Sequence, residues 1–407
     1  MNYVIFDDQH WWNFFPLTLN RSIGDLRVGI LKLRQRINAY LNHEQNNIII
    51  PADLAKLYQE RHPDWKVNKL PAGELTLVNS RIKIDADISA RIKKLKSGQC
   101  LNFGENIIAA RIQADETDLS SENLLDLFKN MHKIEFPSNC LWENIWQLIS
   151  QNADYIRNDF QDFFYEKDNY YEAELGVTIL DPYNVWIGDK TELKPGVVID
   201  ASQGPVVIDE EVLIMPNAVI TGPVFIGKNC IIKSGAKISD GTSLGRGCKI
   251  GGELEGTIIQ AYSNKQHDGF LGHSYLGEWV NLGAGTSNSD LKNNYQNISA
   301  YFYPAQNKVD TDNMFMGAII GDHVKTAINS SIYTGAVIGI GSNLLGSDPI
   351  TGFVPSLKWG AGNNLQEYDL NKFLQTAAIV KARRGLKTTE EEKELFSRIR
   401  EFEQKII

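Results

Sequence analysis

The 407-residue sequence has no apolar run of about 18 residues, so it predicts no membrane-spanning helix. Its first ten residues include two acids and no lysine or arginine, which argues against a secretory signal peptide. Only four cysteines are present and none forms a C-x-x-C pair, which argues against a zinc or dithiol redox motif. A basic excess is also missing: the net charge of −9 argues against nucleic acid or an anionic membrane as main partner. We therefore expect a cytoplasmic globular protein with free thiols.

Aliphatic residues recur every six positions over residues 208–250, and this regularity predicts the fold of the second half of the chain. A small or β-branched residue follows most of them four positions later, for example Val212, Ala218 and Thr242. A period of six is typical of a parallel β-helix, in which three short strands close one coil and residues 18 apart stack. A β-sandwich would repeat at about 8–12 residues. The aliphatic positions are Ile208, Ile214, Ile220, Ile226, Ile232, Ile238, Leu244 and Ile250.

The first part of the chain alternates strand-like and helix-like segments, which predicts an α/β domain with a mostly parallel sheet. Strands are expected at Tyr3–Phe6, Asn47–Pro51 and Leu75–Val78, and helices at Leu26–Leu41 and Ala52–Arg61. A chain of this length should hold at least two domains. We place an α/β domain at 1–165, a linker at 166–184, a β-helix domain at 185–355 and a helical segment at 356–407.

The stretch from Lys265 to Lys292, KQHDGFLGHSYLGEWVNLGAGTSNSDLK, interrupts the hexads. It resembles the acetyltransferase motif H-x-x-Y-L-G-x-x-x-[IV]-G-x-x-x-N-[IL]-G-A-G-T of the GlmU family, bifunctional enzymes that make UDP-N-acetylglucosamine. His267 takes the histidine position, and Asn281 and Thr286 follow at the family's offsets. The resemblance implies a left-handed β-helix, with acetyl-CoA as co-substrate and a homotrimer as the assembly.

The resemblance also implies roles for individual residues. His267 corresponds to the general base that takes a proton from the acceptor amine, a task suited to imidazole. Glu253 falls on the acid that orients this histidine. The acceptor contacts expected from the resemblance are Phe270, Asn281, Asp290 and Lys292.

Three positions depart from the family pattern, and one of them is Phe270, which stands where the family has tyrosine. Asp290 replaces a family asparagine and Glu255 replaces a phosphate-binding lysine, so both add negative charge and put the identity of the acceptor in doubt. His273 is the rival of His267, but its place inside a coil favours a wall residue.

The N-terminal segment lacks the glycine-rich loop that opens family nucleotidyltransferase domains and cradles a triphosphate there. It keeps Pro16-Leu17-Thr18, which resembles the P-L-T segment of sugar nucleotidyltransferases, and Asn79-Ser80-Arg81 replaces an N-G-D that would supply a ligand for Mg²⁺. This combination resembles a divergent branch typical of Bacteroidetes-like bacteria. Two interpretations stay open for Arg21, Arg27 and Arg81: contacts to nucleotide phosphates, or structural arginines in a domain without activity.

The function expected from these features is transfer of acetyl from acetyl-CoA to the amine of an amino-sugar phosphate such as glucosamine 1-phosphate. One alternative is a sugar-1-phosphate nucleotidyltransferase whose β-helix serves assembly. Another is a non-catalytic trimer that binds nucleotide sugars. The first alternative needs Mg²⁺ and phosphate ligands that this sequence supplies poorly.

Overall fold

The computed structural model describes residues 2–43, 47–169, 171, 173–362 and 364–406. Its first part is a seven-stranded sheet in which four of the six neighbouring strand pairs are parallel, as predicted. In spatial order the strands are His132–Glu135, Gln99–Phe103, Asn106–Ala114, Gly73–Asn79, Asn2–Phe6, Asn47–Ile49 and Lys66–Val67.

Helices cover this sheet, and one of them is shorter than predicted. Residues 26–41 were expected to be helical throughout, but helix α1 is confined to Leu33–Leu41, and a small hairpin of Arg27–Val28 and Leu31–Lys32 precedes it. Gly29 lies at the tip of that hairpin with a φ of 68°, a conformation that ends the helical pattern. The other helices of this part are α2 (Ala52–Arg61), α3 (Ala86–Lys93), α4 (Ile145–Ser150) and α5 (Asn152–Phe163).

The second part is a parallel β-helix with three faces, as the hexads predict. Residues 18 apart are hydrogen-bonded neighbours, for example Ile208 and Ile226, and then Ile226 and Leu244. These aliphatic side chains fill the interior together with the small residues four positions later, including Ala218 and the free thiols of Cys230 and Cys248.

We name the three faces of the prism A, B and C. Face A contains Val185–Ile187, Val206–Ile208, Val224–Ile226, Thr242–Leu244, Ile258–Ile259, Tyr275–Leu276, Ile319–Ile320, Val337–Ile338 and Phe353–Val354. Face B contains Thr178–Leu180, Val198–Asp200, Val219–Thr221, Lys237–Ser239, Glu253–Glu255, Phe270–Gly272, Ser287–Asn288 and Ser331–Ile332. Face C contains Glu192–Leu193, Leu213–Ile214, Ile231–Ile232, Lys249–Ile250, Asn264–Lys265, Lys325–Thr326, Asn343–Leu344, Lys358–Gly360 and Gln366–Glu367.

The remaining elements close the ends of the molecule. Two antiparallel pairs lie outside the sheets: Lys69–Leu70 with Thr117–Asp118, and Ser299–Phe302 with Asn307–Asp310. Single 3₁₀ turns occur at Gln9–Phe14, Ile23–Asp25, Leu124–Phe128, Pro182–Asn184 and Tyr303–Ala305. The chain continues in α6 (Leu370–Ala382) and α7 (Glu390–Ile406), which are separated by a segment that contains Gly385. Within the described ranges, no helix is both long and apolar enough to cross a membrane.

Face A is covered by the N-terminal part of the same chain. Its outward side chains, among them Phe225, Ile258, Tyr275 and Ile319, are buried in clusters shared with residues of that part. The hydroxyl of Tyr275 accepts the N–H of Arg27 at 2.8 Å and lies 3.0 Å from its carbonyl oxygen. The opposite edge of the prism, where faces C and B meet, therefore points away from the N-terminal part.

Candidate functional site

His267 lies at the edge between faces C and B, in a groove of about 420 Å³. Its side chain is exposed, and residues from four coils form the groove around it. Ala284 and Gly285 of the L-G-A-G-T segment form one wall, and Lys233 brings a cation to the other. The hexad array therefore places the predicted base where an acceptor and an extended donor can reach it. The full lining is Met215, Lys233, Ser234, Gln266, His267, Asp268, Ala284 and Gly285.

Lys265 holds the His267 turn in place, a role that the sequence reasoning missed. It occupies an interior position of the β-helix, next to Ile250, and is 2% exposed. Its ammonium group donates to the carbonyl oxygens of Gly251 at 3.0 Å and His267 at 2.7 Å. Burial lowers the pKa of Lys265 to about 8, an effect that Asp268 partly offsets. A lysine at an aliphatic hexad position was the signal that could have identified it.

The other predicted site residues are spread over the prism. Glu253 and Phe270 are neighbours on face B, and Glu253 lies 3.9 Å from Lys237. In the described part of the chain no hydrogen bond or ion pair joins Glu253 to His267, so the orienting contact is not formed within one chain. Asn281 is exposed on face C, bridged through its backbone to Asn264 and Lys325.

Lys292 lies in the insertion that follows Thr286, the segment between the face B strand Ser287–Asn288 and the face A strand Ile319–Ile320. Its ammonium group donates to the carbonyl oxygen of Asn297 at 2.6 Å, so its described contact stays within the insertion. The insertion itself packs inward: Ile298 and Ala300 are fully buried, and the Tyr303 hydroxyl donates to Glu403 of α7 at 2.9 Å. The insertion therefore links the β-helix to α7.

Asp290 lies beside His273 at the edge between faces A and B. Its Oδ2 is 2.8 Å from Nδ1 of His273, and the missing side chain of Gly272 leaves room for this approach, since a Cβ there would lie 2.3 Å from the carboxylate. His273 has a positive φ of 44° and stacks above Gly256. The structure therefore pairs Asp290 with the histidine that the sequence analysis placed second.

Two more carboxylates complete this cluster. Donor atoms of Asp240, Glu255 and His273 all lie within 4.8 Å of one another, a set that could hold a divalent cation. Burial raises the pKa of Glu255, with further contributions from the charges of Asp240 and Asp290, while His273 acts in the opposite direction. The added acids noted in the sequence thus gather at this edge rather than in the His267 groove.

The carboxyl ends of the N-terminal parallel strands carry Asp7, Asp8 and Arg81, where an α/β sheet would bind a nucleotide. Arg81 forms a buried ion pair with Asp8 and also donates to the carbonyl oxygen of Trp142 at 2.8 Å. Asp7 accepts from Ser22 at 2.9 Å, and burial raises the pKa of its carboxyl group to about 7. These residues do not fit a Mg²⁺ site, because the Asp8 carboxylate is neutralised by Arg81 and the Asp7 carboxylate already accepts hydrogen bonds from Ser22 and Ser80.

Arg21 and Arg27 lie at the contact between the N-terminal part and the β-helix. Arg21 pairs with Asp322, which also accepts from Asn20 at 2.9 Å. Arg27 donates to the carbonyl oxygen of Ile30, and its guanidinium lies over the ring of Phe225 at 4.9 Å. Both arginines are less than a tenth exposed. Arg21 therefore anchors the two parts, and its predicted phosphate contact would have to displace a carboxylate.

Two family models match the chain. Residues 3–167 match the family described as sugar nucleotidyl transferase, and residues 205–240 match the six repeats of the bacterial transferase hexapeptide family. The second match lies within the hexad run that forms faces A, B and C. Together they confirm a nucleotidyltransferase-like N-terminal domain followed by a hexapeptide-repeat β-helix.

Two curated relatives match part of the chain. The chain is 36% identical over 97 residues to the bifunctional protein GlmU of Methanococcus aeolicus, a match that spans 23% of each chain. It is 32% identical over 93 residues to a bifunctional sugar-1-phosphate nucleotidylyltransferase/acetyltransferase of Sulfurisphaera tokodaii, which spans 22% of this chain and 23% of the relative. The chain thus aligns with less than a quarter of the length of either relative.

Among solved structures, a UDP-N-acetylglucosamine acyltransferase of Francisella novicida matches 55% of this chain and 77% of its own, at 16% identity and a TM-score of 0.36. A score this low carries no argument about the site. The two family models and the curated relatives show that residues 3–167 are similar to sugar nucleotidyl transferases, that residues 205–240 are similar to hexapeptide transferases, and that a stretch of the chain is similar to bifunctional GlmU-type proteins.

Proposed function

We propose that the protein is an acyl-CoA-dependent N-acyltransferase that transfers acetyl from acetyl-CoA to the amine of an amino-sugar phosphate. The observation that carries this proposal is the groove at the edge between faces C and B, in which His267 is exposed beside the L-G-A-G-T segment and Lys233. The named activities of the GlmU-type relatives support the same reaction class.

The chemistry assigned to the groove is a single acyl transfer. His267 takes a proton from the acceptor amine as the nitrogen attacks the thioester carbonyl of acetyl-CoA. The new C–N bond forms, the C–S bond breaks, and the thiolate leaves as free CoA after taking up a proton. Lys265 holds the carbonyl oxygen of His267 and so positions the base without contacting substrate.

We further propose a homotrimer acting in the cytoplasm. Face A is already covered by the chain's own N-terminal part, so partners would have to contact faces B and C. The His267 groove lies on the edge shared by those two faces, and a neighbouring subunit could there supply the orienting group that Glu253 does not provide within one chain. All four cysteines are free and buried, which fits a reducing compartment.

A second candidate base is His273, favoured by the 2.8 Å contact between its Nδ1 and Asp290, an orienter-plus-base geometry. The two histidines lie on different edges of the prism, so single substitutions separate them. The nucleotidyltransferase alternative is less well supported, because the charged side chains at the strand ends already have partners within the chain. Asp8 pairs with Arg81, and Asp7 accepts a hydrogen bond from Ser22.

Thiol release from acetyl-CoA in the presence of a panel of amino-sugar phosphates tests the proposal. We expect His267→Ala to lower kcat by about 100-fold or more, the usual loss for a general base, while His273→Ala keeps most activity. The reverse pattern would assign the base to His273. Pyrophosphate release from a nucleoside triphosphate and a sugar 1-phosphate, with no thiol release from any acceptor, would overturn the acyltransferase proposal.

A further inference from the structure

A cleft of about 720 Å³ lies where the N-terminal part, the edge between faces A and C, and the segment joining α6 to α7 meet. An aromatic ladder runs along that edge: Tyr262 and Trp279, which line the cleft, stack with ring centroids 4.4 Å apart, and Trp279 stacks on the buried ring of His323. All three residues have φ between 61° and 64°, so the ladder follows equivalent turns of successive coils. The cleft is therefore built from three segments that are distant in sequence.

Positive charge dominates the walls of this cleft, although the chain as a whole carries −9. Eight cationic and three acidic side chains line it. The cations are Arg27, Lys32, Arg34, Arg61, Lys228, Arg246, Lys381 and Lys387, and the acids are Asp209, Glu278 and Glu392.

The carboxylates near the cleft do not balance these cations. The carboxylate of Asp25 accepts from both Lys32 at 3.1 Å and Arg34 at 2.9 Å, so one negative charge faces two positive charges. Glu392 likewise pairs with both Arg61 and Lys381. Lys228 is the exception, because it pairs with Glu210 and Glu211 on its outer side. Two shared carboxylates therefore leave a surplus of positive charge facing the cleft.

Three further cations have no ion pair in the part of the chain that the structure describes: Arg27, Arg246 and Lys387. Arg246 lies over the ring of Tyr262 at 5.8 Å, and Lys387 is exposed between α6 and α7. They come from the N-terminal part, the β-helix and the helical segment respectively. Each part thus contributes one unpaired cation to the same cavity.

Arg27 gives the clearest independent sign of an anionic ligand. The chain has four buried arginines in its described ranges, and Arg21, Arg36 and Arg81 each pair with a buried carboxylate. Arg27 is 9% exposed, has no carboxylate partner, and its Nε makes no hydrogen bond. A buried guanidinium without a counter-charge is costly unless something else neutralises it. It lines the cleft, so a bound anion can do this.

We propose that this junction cleft binds a ligand through a diphosphate group, held by Arg27, Arg246 and Lys387. Guanidinium and ammonium groups bind phosphate oxygens through charge-assisted hydrogen bonds, and cations from three directions suit more than one phosphate. A cavity of this size also accommodates a nucleotide. The ladder rings face one another, so the nucleoside would meet their edges rather than stack between them.

The cleft is separate from the two sites described above. It lies along the edge between faces A and C, whereas His267 lies between C and B, and Asp7 and Asp8 lie at the strand ends of the N-terminal sheet. A diphosphate bound here would join the three parts of the chain. The proposal therefore stands independently of the acyltransferase assignment.

Isothermal titration of the full chain with pyrophosphate, ADP, UDP and CoA, in the absence of an amino sugar, tests the proposal. We expect saturable binding that weakens with salt, and a loss of roughly tenfold in affinity for each of Arg246→Ala and Lys387→Ala, as for a lost charge-assisted hydrogen bond. Arg27→Gln should lose at least as much. Lys405→Ala, an exposed lysine of α7 outside the cleft, is the matched control and should bind like the wild type.

The probes separate the sources of the diphosphate. Equal affinity for all four indicates that the diphosphate alone is recognised, and preference for one nucleotide identifies the carrier. The proposal is overturned if none of them binds at up to about 1 mM, or if Arg246→Ala and Lys387→Ala both bind as tightly as Lys405→Ala. His267→Ala should bind diphosphate normally, so failure of the acyltransferase proposal leaves this test intact.

Discussion

Replacing Asp322 by alanine should weaken the contact between the β-helix and the N-terminal part and so lower the free energy of unfolding. Asp322 is 2% exposed and accepts hydrogen bonds from Arg21, from Asn20 at 2.9 Å and from the backbone N–H of Glu278 at 2.9 Å. The substitution removes all three hydrogen bonds and leaves the guanidinium of Arg21 buried without its carboxylate. Arg21 itself is 5% exposed, so water cannot replace the lost partner without a local opening.

The size of the effect follows from this burial. Removing one partner of a buried ion pair costs about 3–5 kcal/mol, because the remaining charge stays desolvated. The carboxylate of Glu278 lies 3.8 Å from Arg21 and is 24% exposed, so it compensates in part. We therefore expect about 3 kcal/mol, at the lower end of that range. Replacing both partners together, as Arg21→Met with Asp322→Leu, should cost less than the single change because no unpaired charge remains.

Urea unfolding followed by tryptophan fluorescence and by far-ultraviolet circular dichroism measures this loss, and two probes are needed because the domains could unfold separately. The matched control is Asp87→Asn, which breaks the Arg91–Asp87 pair at 2.9 Å between side chains that are 50% and 65% exposed. That change should cost less than about 1 kcal/mol. A similar loss for Asp322→Ala and Asp87→Asn would refute the argument that burial makes the interdomain pair important.

Three further predictions concern single positions. Gly277→Ala should cost about 1–3 kcal/mol in urea unfolding, because a Cβ would lie 2.2 Å from Oδ1 of Asp322; an unchanged midpoint would show that this corner can relax. Asp7 has a folded pKa raised to about 7 from 3.8, so the folded state holds a proton that the unfolded state releases, and stability should fall between about pH 4 and pH 7 by roughly 4 kcal/mol at most. Asp7→Asn should flatten this slope in unfolding curves at several pH values, and an equally steep slope would contradict the assignment. Lys265→Met should lower kcat for thiol release by roughly tenfold through misplacement of His267, with KM for acetyl-CoA little changed, whereas full activity would mean that the turn holds its shape without the ammonium group.

The fold of the β-helix could be predicted because its signal is local and repeated. Each interior position repeats the same stacking register: Ile226, for example, lies between Ile208 and Leu244 on adjacent coils. The six-residue period of aliphatic residues therefore specifies this fold. The helix expected over residues 26–41 failed for the opposite reason. Arg27 to Lys32 forms a hairpin because Tyr275 and Asp159, far away in sequence, bind its backbone. Helical spacing in the sequence carried no information about those partners.

The sequence predicts the roles of His267 and Glu253 only through the family motif, and these roles stay predictions. His267 lies in a groove, and Glu253 is directed toward Lys237 in this chain. Asp290 was placed with the acceptor contacts, and the structure puts it on His273 because Gly272 leaves space for its carboxylate. Whether two side chains can approach across a corner depends on the presence or absence of a single atom, such as the Cβ that Gly272 lacks. The hexad spacing of aliphatic residues gives no information about such distances.

Apolar doublets in the hexad array bear on how the molecule assembles. At nearly every third strand the interior aliphatic residue is preceded by another apolar one, as in Phe225-Ile226, Ile258-Ile259 and Tyr275-Leu276. The first residue of each doublet points outward from face A, and all of these are buried under the N-terminal part. On face B the corresponding outward residues include Lys237 and Glu253, which are exposed.

A row of large outward apolar side chains that is buried predicts a permanently covered face. The N-terminal part covers face A here, so any subunit contact is directed to faces B and C, whose outward residues are a mixture of charged side chains such as Lys237 and apolar ones such as Val219. Those faces meet at the edge that carries His267. A trimer built in this way would complete the groove with residues of a neighbouring chain. A monomeric variant should then lose thiol release together with assembly while its circular dichroism spectrum stays that of the folded chain, and its unfolding midpoint should fall because association stabilises the folded state.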